Sequence, residues 1–416
     1  MGKDMVFDQN RTGPLAAYRV IEMASTAAGP ICGRMMADAG AEVIKIEPFS
    51  GDPIRTAGKQ NKGKGLYSAS LLRNKDTIAV NLKSDKGRAI IKQLAAHAHI
   101  IIQNFLPGKL DAWGIGYKEL SNINPAIVMM SISGYGQSGP LRDKRGYGVI
   151  CEAFSGLRHI IGDPDRPPAR VGMAMTDYIT GLYGAMGAMM ALLNAKDTGI
   201  GQEIDLALYE AAFSLLETHV PNYDQLGTIV NRVGPALPDS VVNNLYRTRD
   251  NVYLHVQGSQ DPGFARLMNA IERPDIAQDE RYRTRRARVA NADYVEQTLE
   301  SWFAEHDIID VEETFTKCGV TFGRINTIDQ VFEDPHFQAR NMLPKVSDDV
   351  LGEIVLAGLV PKFLGTPGKL RHSAKPVGYD TERVLTEFCG YNKDEVSRLE
   401  REGVVKCDRA ETSVFK

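Results

Sequence analysis

The stretch that decides the fold is YRVIEMASTAAGPICGRMMADAGAEVIKIE, residues 18–47. It opens with an apolar run at 18–24, continues as a helical pattern at 29–38, and closes with EVIKIE at 42–47. Two apolar runs joined by a helical segment are typical of a right-handed βαβ unit with parallel strands. The sequence therefore predicts an α/β domain built on a parallel sheet.

The same alternation continues along the chain. The spacing of apolar residues predicts a strand at 77–82, a helix at 86–98, strands at 100–103 and 127–133, and helices at 178–193 and 206–219. Strands that alternate with helices favour a mostly parallel, Rossmann-like sheet. We therefore predict a Rossmann-like large domain accompanied by a smaller α+β domain.

The character of the sequence changes after residue 220, where a loop-rich stretch leads into highly charged helical segments. We predict that the large domain begins at 14–224, that a small α+β domain follows at 225–330, and that a return segment at 331–405 completes the large domain. Residues 1–13 and 406–416 are interpreted as tails.

The composition excludes several classes of protein. The 416 residues include 49 Lys and Arg against 52 Asp and Glu, so there is no basic excess to bind nucleic acid. Five dispersed cysteines without a CxxC pair disfavour a disulfide framework and a zinc site. The longest apolar run, 182–193, is shorter than the ~20 residues that span a bilayer. We predict a cytoplasmic protein with no metal and no membrane or nucleic-acid partner.

The glycine-containing run GPICG at 29–33 lies where a dinucleotide-binding loop would be. It lacks the GxGxxG order, and Pro30 removes one N–H that could bind phosphate. NAD or FAD binding is therefore disfavoured, and the unit serves another ligand or acts as scaffold. Basic residues also gather in three loops: Lys59, Lys62 and Lys64; Arg73 and Lys75; and Arg142, Lys144 and Arg145. They form a phosphate site if the loops converge, and are solvated surface charges otherwise.

The most informative stretch for chemistry is VGMAMTDYITGLYGAMG, residues 171–187. Asp177 comes just before a helix whose glycines at 181, 184 and 187 share one face and allow another segment to approach closely. An aspartate at this position is often a helix N-cap. Alternatively, the helix N-terminus keeps the carboxylate ionised, so that it can act as a nucleophile on an activated acyl group.

The chain resembles the class III coenzyme A-transferases, a family that includes formyl-CoA transferase and carnitine CoA-transferase. The likeness extends from residue 14 to about 405. It is carried by ordered motifs: AGPICGRMMADAGAEVIKIEPFSGDPIR at 28–55, SLLRNKDTIAVNLKS at 70–84, IIQNFLPGKLDAWGIGY at 101–117, SISGYGQSGP at 131–140 and AMTDYITGLYG at 174–184.

The resemblance implies that Asp177 is the catalytic residue and carries CoA as a transient aspartyl-CoA thioester. The substrates are then an acyl-CoA and a small carboxylic acid, and coenzyme A is a cosubstrate with no further cofactor. It also implies an interlocked homodimer. The family pattern gives the CoA-binding candidates Asn74, Lys75, Asn104, Arg145 and Lys109. Lys109 is included because Ala112 stands where relatives often have a basic residue.

Substrate recognition is less determined by the motifs. The runs TDYITGLYG and RNK are similar to those of members that use succinyl-CoA with a dicarboxylate or hydroxy-dicarboxylate acceptor, which requires an arginine near Asp177. Arg55 is the candidate that we select, with Arg158 and Arg170 as others. Tyr147 is a substrate-binding candidate because it stands where the α-methylacyl-CoA racemases of this family have a proton-transferring histidine. A racemase and a CoA-binding protein without catalysis remain the alternative functions.

Overall fold

The computed structural model describes residues 11–408, which form two compact units. The large unit comprises 11–157, 171–225 and 336–408, and the small unit comprises 158–170 and 226–335. The sequence analysis had assigned 158–170 to the large domain.

The strands are β1 Arg19–Met23, β2 Glu42–Glu47, β3 Gln60–Asn61, β4 Lys64–Gly65, β5 Asp76–Val80, β6 Ile100–Gln103, β7 Val128–Ser133, β8 Glu203–Ala207, β9 Asn243–Arg247, β10 Tyr253–Gln257, β11 Thr321–Arg324, β12 Lys345–Asp348, β13 Gly352–Val355 and β14 Val405–Lys406. The helices are α1 Ala28–Asp38, α2 Leu66–Leu71, α3 Asp85–Ala95, α4 Lys109–Ala112, α5 Tyr117–Ile123, α6 Gly148–Phe154, α7 Met175–Thr198, α8 Leu208–Phe213, α9 His219–Leu226, α10 Asp261–Ala270, α11 Pro274–Gln278, α12 Arg285–Ala290, α13 Ala292–Glu305, α14 Ile308–Cys318, α15 Ile328–Glu333, α16 Pro335–Ala339, α17 Thr381–Cys389 and α18 Lys393–Arg401.

The large unit is built on a sheet with the order β14-β5-β2-β1-β6-β7-β8. Its members run parallel except β14, which pairs antiparallel with β5 through Val405 and Val80. Without β14, this is the strand order of a doubly wound Rossmann-like fold, and the predicted mostly parallel sheet is confirmed. The order reverses between β1 and β6, which is the position of the ligand-binding crevice in doubly wound folds.

Helices cover both faces of this sheet, which is why its central strands are buried along their whole length. One core cluster packs α1 and α7 against β1, β6 and β7, and the other packs α3, α17 and α18 on the opposite face. The last strand and helices come from the end of the chain. Lys375 joins them to β5, because its ammonium contacts Asp76 at 2.8 Å and Asp380 at 2.9 Å.

The predicted close approach to the α7 glycines is confirmed, and the approaching segment is α1. A Cβ added to Gly181 would lie 2.5 Å from Cγ2 of Ile31, and one on Gly184 would lie 3.2 Å from Sγ of Cys32. The glycines therefore let the two helices pack almost backbone to backbone. Although α7 is 24 residues long, no helix within residues 11–408 has the length and apolarity needed to cross a membrane.

The predicted helix over 206–219 is wrong in its first part. Glu203–Ala207 forms β8, and helix α8 begins only at Leu208. The run is an edge strand whose side chains are alternately exposed and partly buried, and its Leu and Ala content gives it a helical appearance in the sequence. The missed strand is the last parallel strand of the sheet.

The small unit combines an antiparallel sheet of order β11-β10-β9 with helices α10 to α14. Its core contains Tyr246 stacked on Phe303 at a ring-centroid distance of 4.8 Å, together with Leu254, Leu267 and Phe315. An antiparallel sheet packed by helices on one side is an α+β arrangement.

Candidate active site

Asp177 is the third residue of α7 and lies in its first turn. It does not cap the helix, because the N-cap position belongs to Ala174, which makes no side-chain capping bond. A carboxylate in the first turn is stabilised by the positive end of the helix dipole. The side chain is partly exposed.

The carboxylate of Asp177 lies against Gly148, the first residue of α6. A Cβ built on Gly148 would come within 2.1 Å of Oδ2 of Asp177, so a larger residue at 148 would displace this carboxylate. The first N–H groups of any helix have no carbonyl partner within it. The Asp177 carboxylate therefore lies beside the first residue of α6 and in the first turn of α7, where helix N-termini favour negative charge.

Two kinds of neutral groups neighbour this carboxylate. Burial, and then the charge of Asp177, raises the pKa of Cys151 to about 11, and the Cys151 thiol donates to the carbonyl of Gly134 at 3.3 Å. The thiol therefore stays protonated at neutral pH and does not compete as a nucleophile. On α2, burial, then Tyr178, and then Asp177 raise the pKa of Tyr67.

Asn104 lies at the crevice between β1 and β6. Its side chain accepts a hydrogen bond from the N–H of Ser25 at 2.9 Å and donates one to the Ser25 carbonyl at 2.8 Å. These two bonds tie the loop after β6 to the loop after β1. In doubly wound folds, ligands bind at this topological position.

Exposed basic side chains lie close to the Asn104 loop. Lys109 opens α4 with its ammonium 4.7 Å from the ring centroid of Trp113. A Cβ built on Gly108 would lie 3.6 Å from the guanidinium of Arg142, which brings the loop that carries Arg145 to the same region. Tyr147 follows in that loop, is 67% exposed and directly precedes Gly148. The third basic cluster of the sequence is therefore exposed close to the Asn104 loop.

Asn74 and Lys75 do not present their side chains to a ligand. The Lys75 ammonium is completely buried and donates to Oε2 of Glu22 and to the Pro30 carbonyl, both at 2.7 Å. Asn74 is also buried and bonds to Asp38, the Lys369 carbonyl and the N–H of Arg371. The predicted contacts of these two residues with CoA do not fit this geometry, because both side chains are used to hold the large unit together.

Arg55 is likewise occupied. Its guanidinium binds both carboxylate oxygens of Glu47, at 2.8 and 2.6 Å, and donates to the Lys375 carbonyl. The predicted role of Arg55 in binding a substrate carboxylate does not fit this arrangement, because the guanidinium already binds the carboxylate of Glu47. Arg158 and Arg170 belong to the small unit.

Three residues near Asp177 were missed by the sequence analysis: Arg34, Tyr67 and Gly148. Gly148 directly follows the candidate Tyr147, but nothing in the sequence there indicates a contact with a residue 29 positions away. Arg34 and Tyr67 reach the site through α1 and α2, and an arginine on a helix normally indicates a solvated face.

Comparisons with known proteins identify the family of the chain. The family model described as CoA-transferase family III matches residues 15–381. The chain is 37% identical to the succinyl-CoA–D-citramalate CoA-transferase of Chloroflexus aurantiacus, covering 94% of this chain and 98% of the relative. It is 34% identical to the succinyl-CoA:glutarate CoA-transferase of Homo sapiens, over 97% of this chain and 92% of the relative.

A solved structure gives the same result. The crystal structure of a CaiB/BaiF family protein from Brucella suis superposes with a TM-score of 0.80 at 32% identity, covering 91% of this chain and all of that one. The resemblance predicted from the motifs is therefore confirmed along the length of the chain. The protein is a CoA-transferase and belongs to CoA-transferase family III.

Proposed function

We propose that the protein transfers coenzyme A from succinyl-CoA to a short dicarboxylic or hydroxy-dicarboxylic acid, with Asp177 as the covalent carrier. The single observation that supports this role for Asp177 is its carboxylate lying on Gly148 at the start of α6. The relatives reported above act on citramalate and glutarate with succinyl-CoA as donor.

In the first half of the reaction, a carboxylate oxygen of Asp177 attacks the thioester carbonyl of succinyl-CoA. The C–S bond breaks, which leaves a mixed anhydride of Asp177 and a CoA thiolate. The thiolate then attacks the Asp177 carbonyl of the anhydride, the C–O bond breaks, and succinate departs. Asp177 now carries CoA as a thioester.

The second half repeats these steps with the acceptor. Its carboxylate attacks the Asp177 thioester carbonyl and expels the CoA thiolate, forming a second mixed anhydride. The thiolate attacks the acceptor's carbonyl, which yields the new acyl-CoA and restores the Asp177 carboxylate. Every step exchanges one activated acyl bond for another, so neither ATP nor net proton transfer is required.

Each attack passes through a tetrahedral intermediate with a negatively charged oxygen. The backbone N–H groups of Gly148 and Val149 lie in the first turn of α6, where no helical carbonyl precedes them. We assign them as the donors that stabilise this oxygen.

The nucleotide part of CoA is assigned to the crevice between β1 and β6. Asn104 shapes the crevice through Ser25, and the exposed Lys109, Arg142 and Arg145 supply cations for the phosphates. Charge-assisted bonds from such side chains to phosphate are strong.

The test is a search for the covalent intermediate. Incubation with succinyl-CoA and no acceptor is expected to add the mass of CoA to the peptide that contains Asp177, and hydroxylamine is expected to convert that residue to a hydroxamate. Asp177→Ala is expected to lose both the adduct and turnover. Asp197→Asn, at the other end of α7, is the matched control and keeps both.

The proposal fails if the wild-type enzyme turns over without an adduct, or if Asp177→Ala retains transfer activity. Exchange of an α-proton of a 2-methylacyl-CoA with solvent deuterium, without an adduct, identifies a racemase instead. Binding of CoA with neither outcome identifies a non-catalytic relative.

We also infer that the protein works as a homodimer. The α7 side chains Leu182, Met186, Met190 and Leu193 are spaced along one helix face and each is about half exposed or more. Beside them, α1, α7 and the segment 341–370 line an apolar cavity of about 1250 Å³. An exposed apolar surface of this kind marks an interaction site, and the family resemblance indicates a second copy of this chain as its occupant.

A further inference from the structure

Arg34 is a cation of α1 that forms no ion pair with any residue in the described range. Its Nε is buried and has no hydrogen-bond partner among residues 11–408. The nearest acid along the helix is Asp38, but Arg73 holds both oxygens of Asp38 and Asn74 donates to one of them. The Arg34 guanidinium instead lies 5.7 Å from the ring centroid of Tyr178.

This position is close to the nucleophile. Tyr178 is the next residue after Asp177, and Tyr67 is near enough to both of them, and to Arg34, for all three to influence the pKa of Tyr67. The close packing of α1 against Gly181 of α7 fixes the two helices relative to each other, so Arg34 is held beside the Asp177 end of α7.

The surroundings of Arg34 favour an incoming anion. Burial lowers the pKa of Arg34, and the positive charge of Arg73 lowers it further. A partly buried cation without a partner carries an uncompensated desolvation cost. A carboxylate that binds the guanidinium through two parallel hydrogen bonds removes this cost, because the geometries of the two groups match.

We propose that Arg34 is a specificity-determining residue that binds the distal carboxylate of the dicarboxylic substrate while the reacting carboxyl group lies at Asp177. The inference rests on the function proposed above. In a short dicarboxylate the second carboxylate is only a few bonds from the reacting one, so it needs a cation close to Asp177, and Arg34 lies beside the neighbouring Tyr178. The phosphates of CoA are excluded as the partner, since the pantetheine arm keeps them far from a thioester that is being attacked at Asp177.

The first half-reaction tests the inference without knowledge of the acceptor. Succinyl-CoA and butyryl-CoA have acyl chains of nearly the same shape and differ in the distal carboxylate. The rate of adduct formation on Asp177, divided by the CoA-ester concentration, is measured for both esters with the wild type, Arg34→Gln and Arg34→Lys. Arg401→Gln, which removes an exposed arginine of α18, is the control.

We expect Arg34→Gln to lower the succinyl-CoA rate by about 10- to 100-fold, the loss typical of a charge-assisted contact, and to change the butyryl-CoA rate by less than about 3-fold. Arg34→Lys is expected to fall between the wild type and Arg34→Gln, and Arg401→Gln to match the wild type. An equal loss with both esters shows a structural role and overturns the inference, as does an unchanged preference for succinyl-CoA.

Further outcomes distinguish a folding defect, a failure of this inference and a failure of the proposed function. If Arg34→Gln does not fold, the comparison of Arg34→Lys with the wild type decides, because an undiminished preference in the lysine variant contradicts a bidentate contact. If the wild type itself forms an adduct equally fast with both esters, no distal carboxylate is recognised and the inference fails. If the wild type forms no adduct at all, it is the proposed function that fails.

Discussion

At the scale of single residues, the site depends on Gly148, which has no side chain. Gly148 leaves the space that the Asp177 carboxylate occupies, and it also begins α6, whose N–H groups are the assigned oxyanion donors. One residue therefore determines both where the nucleophile lies and how close it comes to those donors. A methyl group at this position should damage catalysis without damaging the core.

We predict that Gly148→Ala lowers kcat by at least about 100-fold, since a displacement of about 1 Å at a reacting group has that effect. The free energy of unfolding should change little, because the new methyl group meets a movable, partly exposed side chain. Gly172→Ala is the control: a Cβ there meets nothing within 4 Å, and its activity should equal that of the wild type. Full activity in Gly148→Ala would mean that the carboxylate works from another position.

Sequence reasoning works best for features that depend on local sequence. The place of Asp177 at the start of a glycine-containing helix could be predicted from the local pattern, and its catalytic role is what the family resemblance implies. Lys75 and Arg55 could not be judged, because Glu22 and Glu47 occupy them only after the strands have assembled. Arg34 was missed because the sequence does not reveal that Asp38, its neighbour on the helix, forms an ion pair with Arg73, which is 39 positions after Arg34.

At the scale of elements, the packing of α1 on α7 brings the site together. We predict that Gly181→Ala lowers the free energy of unfolding by about 1–3 kcal/mol, because its methyl group would overlap Ile31. Gly187→Ala, on the same helix, has only ordinary contacts, with Met130 Cε at 3.6 Å, and should raise stability by about 0.5–1 kcal/mol through helix propensity. Urea unfolding of both variants checks the sign, and two changes of the same sign would contradict this account of the packing.

The junction of β1 and β6 gives a prediction for pH. His99 accepts a hydrogen bond from the N–H of Arg19 at 3.0 Å, and burial, then the charge of Arg19, lowers its pKa to about 4 from 6.5. Between pH 6.5 and pH 4 the unfolded chain takes up a proton at this histidine and the folded chain does not. Stability should therefore fall as the pH falls through this window, by about 1–2 kcal/mol from His99.

His99→Asn keeps an acceptor for Arg19 and removes the titration, so its unfolding free energy should depend less on pH in this range. His372 supplies part of the remaining dependence, since burial also lowers its pKa, to about 3. His159→Asn, which alters an exposed histidine, should behave like the wild type. The same pH dependence in His99→Asn and the wild type would rule out this contribution.

The elements themselves could be predicted where both faces of a strand are buried. The first βαβ unit, β5 and β6 lie within about two residues of their predicted positions, because continuous apolar runs of this kind have few alternatives. The prediction failed at β8 because this strand is short, lies at the edge of the sheet and has charged residues on its exposed side. Edge strands carry the weakest pattern, since only one face contributes to the core.

At the scale of the whole molecule, the apolar face of α7 leads to a prediction of the assembly state. Sedimentation equilibrium of the wild type is expected to give the mass of two chains. Met190→Asp should shift the equilibrium toward one chain, because a charge in a buried apolar contact is unfavourable. Ile309→Asp alters an equally exposed residue of α14 and should remain a dimer. A single-chain mass for the wild type would contradict the inferred homodimer.

The pairing of β14 with β5 also has a consequence during protein synthesis. The edge of β5 lacks its neighbour until residue 405 has left the ribosome, which is more than 300 residues after β5 itself. A growing chain thus displays a bare strand edge, which invites pairing with other nascent chains. A nonsense codon shortly before position 375 would make this exposure permanent. It would also remove Lys375, which forms an ion pair with the Asp76 carboxylate. Such a nearly full-length product should be found in inclusion bodies or in complexes with chaperones.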